Sequence, residues 1–87
     1  MVNIPSEVLY MQNMGQVLPL SLVRAGETVT VRRVRGNEDM RRHLQEIGFV
    51  DGAEVHVVSS SGANIIVLVK GSRFGLDAKV AQHIMAA

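Results

Sequence analysis

Apolar and polar residues alternate with a period of two over residues 28–34, where Val29 and Val31 are separated by Thr30. Alternating β-branched residues are typical of a half-buried strand, so we predict a strand here. Further strands are predicted over residues 53–59, 64–70, 73–76 and 83–86. Five short strands in so few residues predict a mainly β fold, a small and strongly bent antiparallel barrel, because closure removes exposed sheet edges.

The strand predicted over residues 64–70 is apolar on both faces, since every residue from Ile65 to Val69 is apolar. Such a strand is expected to be covered on both sides. A two-residue turn at Gly71–Ser72 is predicted to connect it to the next strand, with Gly71 at the position that requires a positive φ.

A different spacing predicts one helix over residues 38–47. Met40, Leu44 and Ile47 recur at intervals of four and three, which places them on one helical face. This face is expected to pack against the barrel.

Residues suited to capping flank the predicted helices. Asn37 is the predicted N-cap of the helix, and Gly48 is predicted to end it in a positive-φ conformation. Gly52, four residues later, is predicted to turn the chain into the next strand. Asp77 is expected to cap a short helical turn through Ala81.

Residues 1–18 show the least regular pattern, since Pro5 and Gly15 interrupt a mixture of apolar and polar residues. A short helix capped by Ser6 and a loose arm are both compatible with this stretch. The chain of 87 residues suits one small domain. We therefore assign residues 1–18 to an N-terminal extension and residues 19–87 to the barrel domain.

Charge and cysteine content exclude several functional classes. Nine Lys and Arg against eight Asp and Glu leave a formal net charge of +1, so nucleic-acid binding is not expected. The absence of Cys excludes disulfides and thiolate zinc sites and suits a reducing cytosol. No stretch reaches the roughly 18 apolar residues of a membrane span, so we expect a cytoplasmic protein without membrane insertion.

The sequence contains no convincing catalytic or metal-binding set. His43, His56 and His83 show no i, i+4 pairing, so no preformed metal site is expected. His43 and Glu46 could share a weak surface metal, although a solvated polar helix face is the simpler interpretation. The serines at 59–61 fit turn chemistry better than an activated nucleophile, so an enzyme is not expected.

Basic residues form two local groups. One contains Arg32, Arg33, Arg35, Arg41 and Arg42, and the other contains Lys70 and Arg73. Protection of sheet edges and solubility explain such groups in most proteins. The alternative is recognition of an acidic protein partner.

The order of the motifs in the second half is specific. A helix ending in L-x-x-[IL]-G-[FL]-x-x-G is followed by a strand, a polar hairpin, K-G-S-R and a final A-x-x-I. Leu44, Ile47, Gly48, Phe49, Gly52, Lys70, Gly71, Ser72, Arg73, Ala81 and Ile84 carry this pattern. Residues 44–86 thereby resemble the ferrous iron transport protein A (FeoA) family, and residues 19–35 are similar to the opening of that family.

This resemblance implies an SH3-like β-barrel with one inserted helix. It also implies a non-enzymatic cytoplasmic accessory of the FeoB-type ferrous iron transporter, whose cytosolic part is a G-protein domain. Since the C-terminal domain of iron-dependent repressors shares the barrel, a free-standing regulatory barrel that acts on a transcription factor is the alternative. No cofactor is implied, and binding of Fe²⁺ or another divalent metal is left open.

If the protein binds such a partner, the exposed helix face and the basic hairpin are the expected contacts. The candidate partner-binding residues are Arg41, Arg42, Gln45, Glu46, Lys70 and Arg73. Gly48, Gly52 and Gly71 are expected to have structural roles in turns.

Overall fold

The computed structural model describes residues 16–87. The six strands are β1 (Leu18–Pro19), β2 (Thr28–Val34), β3 (Glu54–Ser60), β4 (Asn64–Val69), β5 (Ser72–Asp77) and β6 (Ile84–Ala86). The helices are a 3-10 helix (Leu20–Leu22), α1 (Glu38–Ile47) and α2 (Ala78–Ala81). Residues 1–15, which include the predicted short helix or arm, lie outside the described residues.

The strands form one antiparallel sheet in the order β1-β6-β2-β3-β4-β5. The bend in this sheet lies within β2. Residues Thr28 to Thr30 pair with β3, whereas Val31 to Val34 pair with β6, and the register shifts between Val31 and Arg33. Because one strand serves both halves, the sheet curves into the small SH3-like barrel that was predicted.

The periodic patterns located most elements correctly. The predicted bounds of α1 are confirmed, and all five predicted strands are present with shifts of at most one residue at their ends. The structure adds a sixth strand, β1, which is too short for a periodic pattern and pairs with β6. It begins at Leu18, one residue before the predicted domain start.

The turn between β4 and β5 differs from its prediction. It contains Lys70 and Gly71, with φ values of 51° and 77°, and Ser72 is already part of β5. Positive φ at both central residues is typical of a type I′ turn, whose twist matches the flanking strands. The turn predicted at Gly71–Ser72 is therefore wrong by one residue, although the positive φ at Gly71 is confirmed.

The core lies inside the curved sheet and is sealed by α1 and the segment that follows it. Its largest fully buried side chain is Phe49, and α1 contributes Leu44. The other buried apolar residues are Leu20, Val23, Val31, Val55, Val57, Ile65, Val67, Val69, Leu76, Ala81, Ile84 and Ala86. Burial of a side chain such as Phe49 stabilises the fold by about 1.5–3 kcal/mol.

The two faces of β4 differ in burial. Ile65, Val67 and Val69 are buried, whereas Ile66 and Leu68 on the opposite face are only half-buried. The expectation that both faces are covered is therefore wrong for the outer face. The core of the barrel packs against the concave face of β4 alone, so Ile66 and Leu68 form part of the outer surface of the sheet.

Candidate partner-binding site

Helix α1 presents the first set of predicted contact residues. The Asn37 side chain accepts a hydrogen bond from the Met40 N–H at 2.8 Å, which confirms the N-cap. Leu44 is buried and Met40 is half-buried, so this face is fixed against the barrel. The opposite face is exposed and carries Arg41, Arg42, Gln45 and Glu46.

One of these residues forms an ion pair within the helix. Arg42 donates to Asp39 at 2.7 Å, and the two side chains are 63% and 91% exposed. Such an exposed pair stabilises the protein by about 1 kcal/mol or less. Arg42 can therefore exchange Asp39 for an acidic group of a partner at little cost.

The helix ends at Gly48, as predicted. The Gly48 φ is 134°, and its N–H donates to the Leu44 and Gln45 carbonyls at 3.2 and 3.1 Å. The next N–H, of Phe49, also donates to the Leu44 carbonyl at 3.0 Å. The chain thereby leaves the helix and directs Phe49 into the core. Gly52 has a φ of 88° and donates to the Val31 carbonyl at 2.8 Å, which confirms its turn.

The β4–β5 hairpin packs against this helix end. A Cβ at Gly48 would lie 3.3 Å from Lys70 Cδ and 3.5 Å from Val69 Cγ2. The aliphatic part of Lys70 therefore crosses Gly48 and extends the helix surface with a further cation. We refer to Arg41, Arg42, Gln45, Glu46 and Lys70 together as the helix surface.

Arg73 lies elsewhere. It is exposed on β5, directly opposite Leu68 of β4, on the outer face of the sheet. The side chain of Lys70 lies at the end of α1, whereas no contact between Arg73 and α1 is found within residues 16–87. The predicted partner residues therefore occupy two places, the helix surface and the outer side of β5.

The histidines do not form a shared site. His56 Nδ1 lies 2.9 Å from Thr28 Oγ1 on the neighbouring strand, and His43 is exposed on α1. Within residues 16–87, no group of three or more His, Cys, Asp or Glu could hold a metal ion. His43 and Glu46 consequently gain no third ligand from these residue types in that part of the chain.

A second exposed surface was not predicted from the sequence. Val17, Leu18 and Leu22 are 43%, 39% and 66% exposed, and Leu18 and Leu22 line a cleft of about 510 Å³. The mainly apolar stretch from Val17 to Val23 could have indicated such a patch, but its exposure depends on how the 3-10 helix packs. In the described part of the chain, no helix has the length and apolar character required to cross a membrane.

Comparison with known proteins gives a family match for most of the chain. The FeoA domain family matches residues 18–87. A crystal structure of an iron uptake regulatory protein (FeoA) is 30% identical, with a TM-score of 0.77, and the match covers 82% of this chain and 96% of that one. No curated protein matches the chain significantly.

Two further structures help to define the fold. A zinc complex of FeoA from Stenotrophomonas maltophilia, described as an SH3 domain protein, is 30% identical with a TM-score of 0.71, and the match covers 80% of this chain and 89% of that one. A manganese-dependent transcriptional repressor is 24% identical with a TM-score of 0.75, and the match covers 82% of this chain but 40% of the repressor. The repressor likeness concerns the fold alone.

Proposed function

Because the chain belongs to the FeoA domain family, we propose that it is a non-enzymatic accessory protein of ferrous iron transport. It binds the cytosolic G-protein part of a FeoB-type transporter and thereby modulates Fe²⁺ uptake. The observation that carries this proposal is the family match over residues 18–87. The two FeoA structures support it, since one is described as iron uptake regulatory and the other as a candidate activating factor of ferrous iron transport.

The arrangement of the candidate chemical groups supports a binding role over catalysis. Ser61 Oγ donates to the Asn64 carbonyl at 3.2 Å, so this hydroxyl stabilises the turn between β3 and β4. The imidazole Nδ1 of His56 forms a hydrogen bond with the Thr28 hydroxyl. Neither residue forms the nucleophile–base pair that an activated serine requires.

The helix surface is suited to an acidic partner. Arg41, Arg42 and Lys70 are exposed cations, and Glu46 is the one acidic member of this surface. Charges at the rim of an interface mainly raise the association rate and select the partner. Leu44 on α1 and Phe49 directly after it are buried in the core and hold the helix backbone against the barrel, which lowers the backbone entropy lost on binding.

The test is a titration of purified protein with the purified cytosolic domain of the transporter, in GDP and in a non-hydrolysable GTP analogue. The variant carries Arg41→Glu and Arg42→Glu, and the matched control carries Arg32→Glu and Arg33→Glu, two adjacent exposed arginines on β2. We expect the helix variant to weaken binding about tenfold or more, mainly through the association rate. The control should bind as the wild type does.

Two results would count against the proposal. Absence of binding at high micromolar concentration, together with unchanged Fe²⁺ uptake after deletion of the gene, overturns the function itself. Equal weakening by both arginine pairs leaves the function intact but excludes the helix surface as the specific contact.

The alternative is a regulatory barrel that acts on a transcription factor. It is motivated only by the barrel fold that the chain shares with the manganese-dependent repressor, at a TM-score of 0.75. DNA binding that weakens steeply as salt is raised would support a direct role at DNA. No retention of DNA at low salt would exclude that direct role.

A further inference from the structure

Neither the backbone conformation nor the packing of the fold requires a glycine at Gly75. Six of the seven described glycines have positive φ, and Gly75 is the exception. A Cβ at Gly75 would meet nothing within 4 Å. Glycine inside a strand weakens the strand and often marks a place where another backbone approaches closely.

This glycine lies on the last strand of the sheet. Among the described residues, β5 pairs with β4 only and leaves its other side free. The two-residue turn at Lys70 and Gly71 makes Val69 and Ser72 a hydrogen-bonded pair. Hydrogen-bonded and non-hydrogen-bonded pairs alternate along an antiparallel ladder. The N–H and C=O groups of Arg73 and Gly75 therefore point away from β4.

We propose that the free edge of β5 binds an extended acidic segment of the partner as an additional β-strand. This inference rests on the proposed function, since it assigns the segment to the cytosolic part of the transporter. Main-chain hydrogen bonds to Arg73 and Gly75 supply the pairing, and side chains on the outer face of the sheet supply the selectivity.

The outer face indicates which side chains the segment carries. Gly75 lies directly opposite Ile66, and Arg73 lies directly opposite Leu68. Because Gly75 has no side chain, a bulky apolar or aromatic residue of the segment can extend across it to the half-exposed Ile66. The residue of the segment that lies opposite Arg73 is two positions away from this bulky residue, on the same face of the sheet, and is acidic. The preferred segment therefore has an aromatic and an acidic residue separated by one residue.

Charge near the edge favours this occupant over a second copy of the chain. Lys70, Arg73 and Lys79 are exposed cations around β5. The one acidic residue within β5, Asp77, accepts the Lys79 N–H at 2.8 Å as the cap of α2. Pairing of two β5 strands would bring these cations together, whereas an acidic segment neutralises them.

The experiment compares Gly75→Pro with Gly75→Ala in binding to the purified cytosolic domain. Proline occupies the edge and removes the outward N–H, but it removes no hydrogen bond to β4, since Gly75 lies at a non-hydrogen-bonded position. Alanine retains the N–H and meets no neighbour within 4 Å. We expect Gly75→Pro to weaken binding about tenfold or more. Gly75→Ala keeps the N–H but places a methyl group where the bulky residue of the segment crosses, so it should weaken binding clearly less than Gly75→Pro does.

Amide hydrogen exchange on the wild-type complex gives a measurement that does not depend on the folding of a variant. The Arg73 and Gly75 amides should exchange at least about tenfold more slowly in the complex than in the free protein. Unchanged exchange at both amides, or equal binding by the folded proline and alanine variants, overturns the edge inference and leaves the proposed function standing. Absence of wild-type binding overturns both.

Discussion

Replacement of Gly48 by alanine tests how the helix is joined to the barrel. The Gly48 φ of 134° lies in a region that side-chain-bearing residues rarely adopt. Holding alanine there costs about 1–3 kcal/mol. The contact between the new Cβ and Lys70 Cδ, at 3.3 Å, adds little because the lysine chain can move. We therefore expect Gly48→Ala to lower the free energy of unfolding by about 2 kcal/mol.

This loss is large for a domain of 87 residues. Native domains are stable by about 5–15 kcal/mol, so the substitution removes a substantial fraction of the total. Each kcal/mol shifts the Tm of a 60–100-residue domain by about 4–8 °C, which predicts a fall of about 8–16 °C. Gly48→Val should lower the Tm further, because a β-branched side chain is less tolerant of positive φ.

Two other glycines provide matched controls for the same chemical change. Gly52 has a φ of 88° and open space around it, so Gly52→Ala isolates the backbone strain and should cost about 1–2 kcal/mol. Gly75 has neither a positive φ nor a close neighbour. Gly75→Ala should therefore raise the free energy of unfolding by about 0.5–1 kcal/mol.

The assay is thermal and urea denaturation followed by circular dichroism, with the three alanine variants measured under one set of conditions. The expected order of Tm, from lowest to highest, is Gly48→Ala, Gly52→Ala, wild type and Gly75→Ala. If Gly48→Ala melted with the wild type, the assignment of Gly48 as the required helix stop would be refuted. A lower Tm for Gly75→Ala would contradict only the expectation for Gly75.

Substitutions at three further residues test the local interactions. Asn37→Ala should lower the free energy of unfolding by about 1 kcal/mol because the Met40 N–H loses its acceptor, whereas Asn37→Asp should be nearly neutral in urea denaturation. Phe49→Ala should cost about 3–5 kcal/mol, measured by the urea midpoint, and a loss below 1 kcal/mol would contradict its central position in the core. Arg42→Ala should change stability by less than about 0.5 kcal/mol, since its pair with Asp39 is exposed, and a larger thermal shift would contradict that reasoning.

The sequence determined the elements that depend on local energies. The bounds of α1 follow from the spacing of Met40, Leu44 and Ile47 and from the caps at both ends, because each cap satisfies backbone groups within one turn. The strands β2 to β4 follow from runs of β-branched and apolar residues, and β5 follows from the hairpin turn predicted before it. The family motif, K-G-S-R included, could likewise be recognised without any tertiary information.

The tertiary structure decided the features that depend on residues distant in sequence. Strand β1 exists because β6 provides its hydrogen-bond partners, and two residues alone carry no periodicity. The turn at Lys70 and Gly71 depends on the twist of the paired strands, which moved it by one residue from the predicted position.

The sequence also could not show that the candidate partner-binding residues lie in two separate places. Lys70 and Arg73 are close in the chain, yet the first packs across Gly48 at the end of α1 and the second lies on the outer face of β5. Alternation along a strand predicts that a residue points outward, but it does not determine which strand forms the edge of the sheet. That choice depends on the pairing of all six strands, and within residues 16–87 it leaves the outward backbone groups of Gly75 without a neighbouring strand.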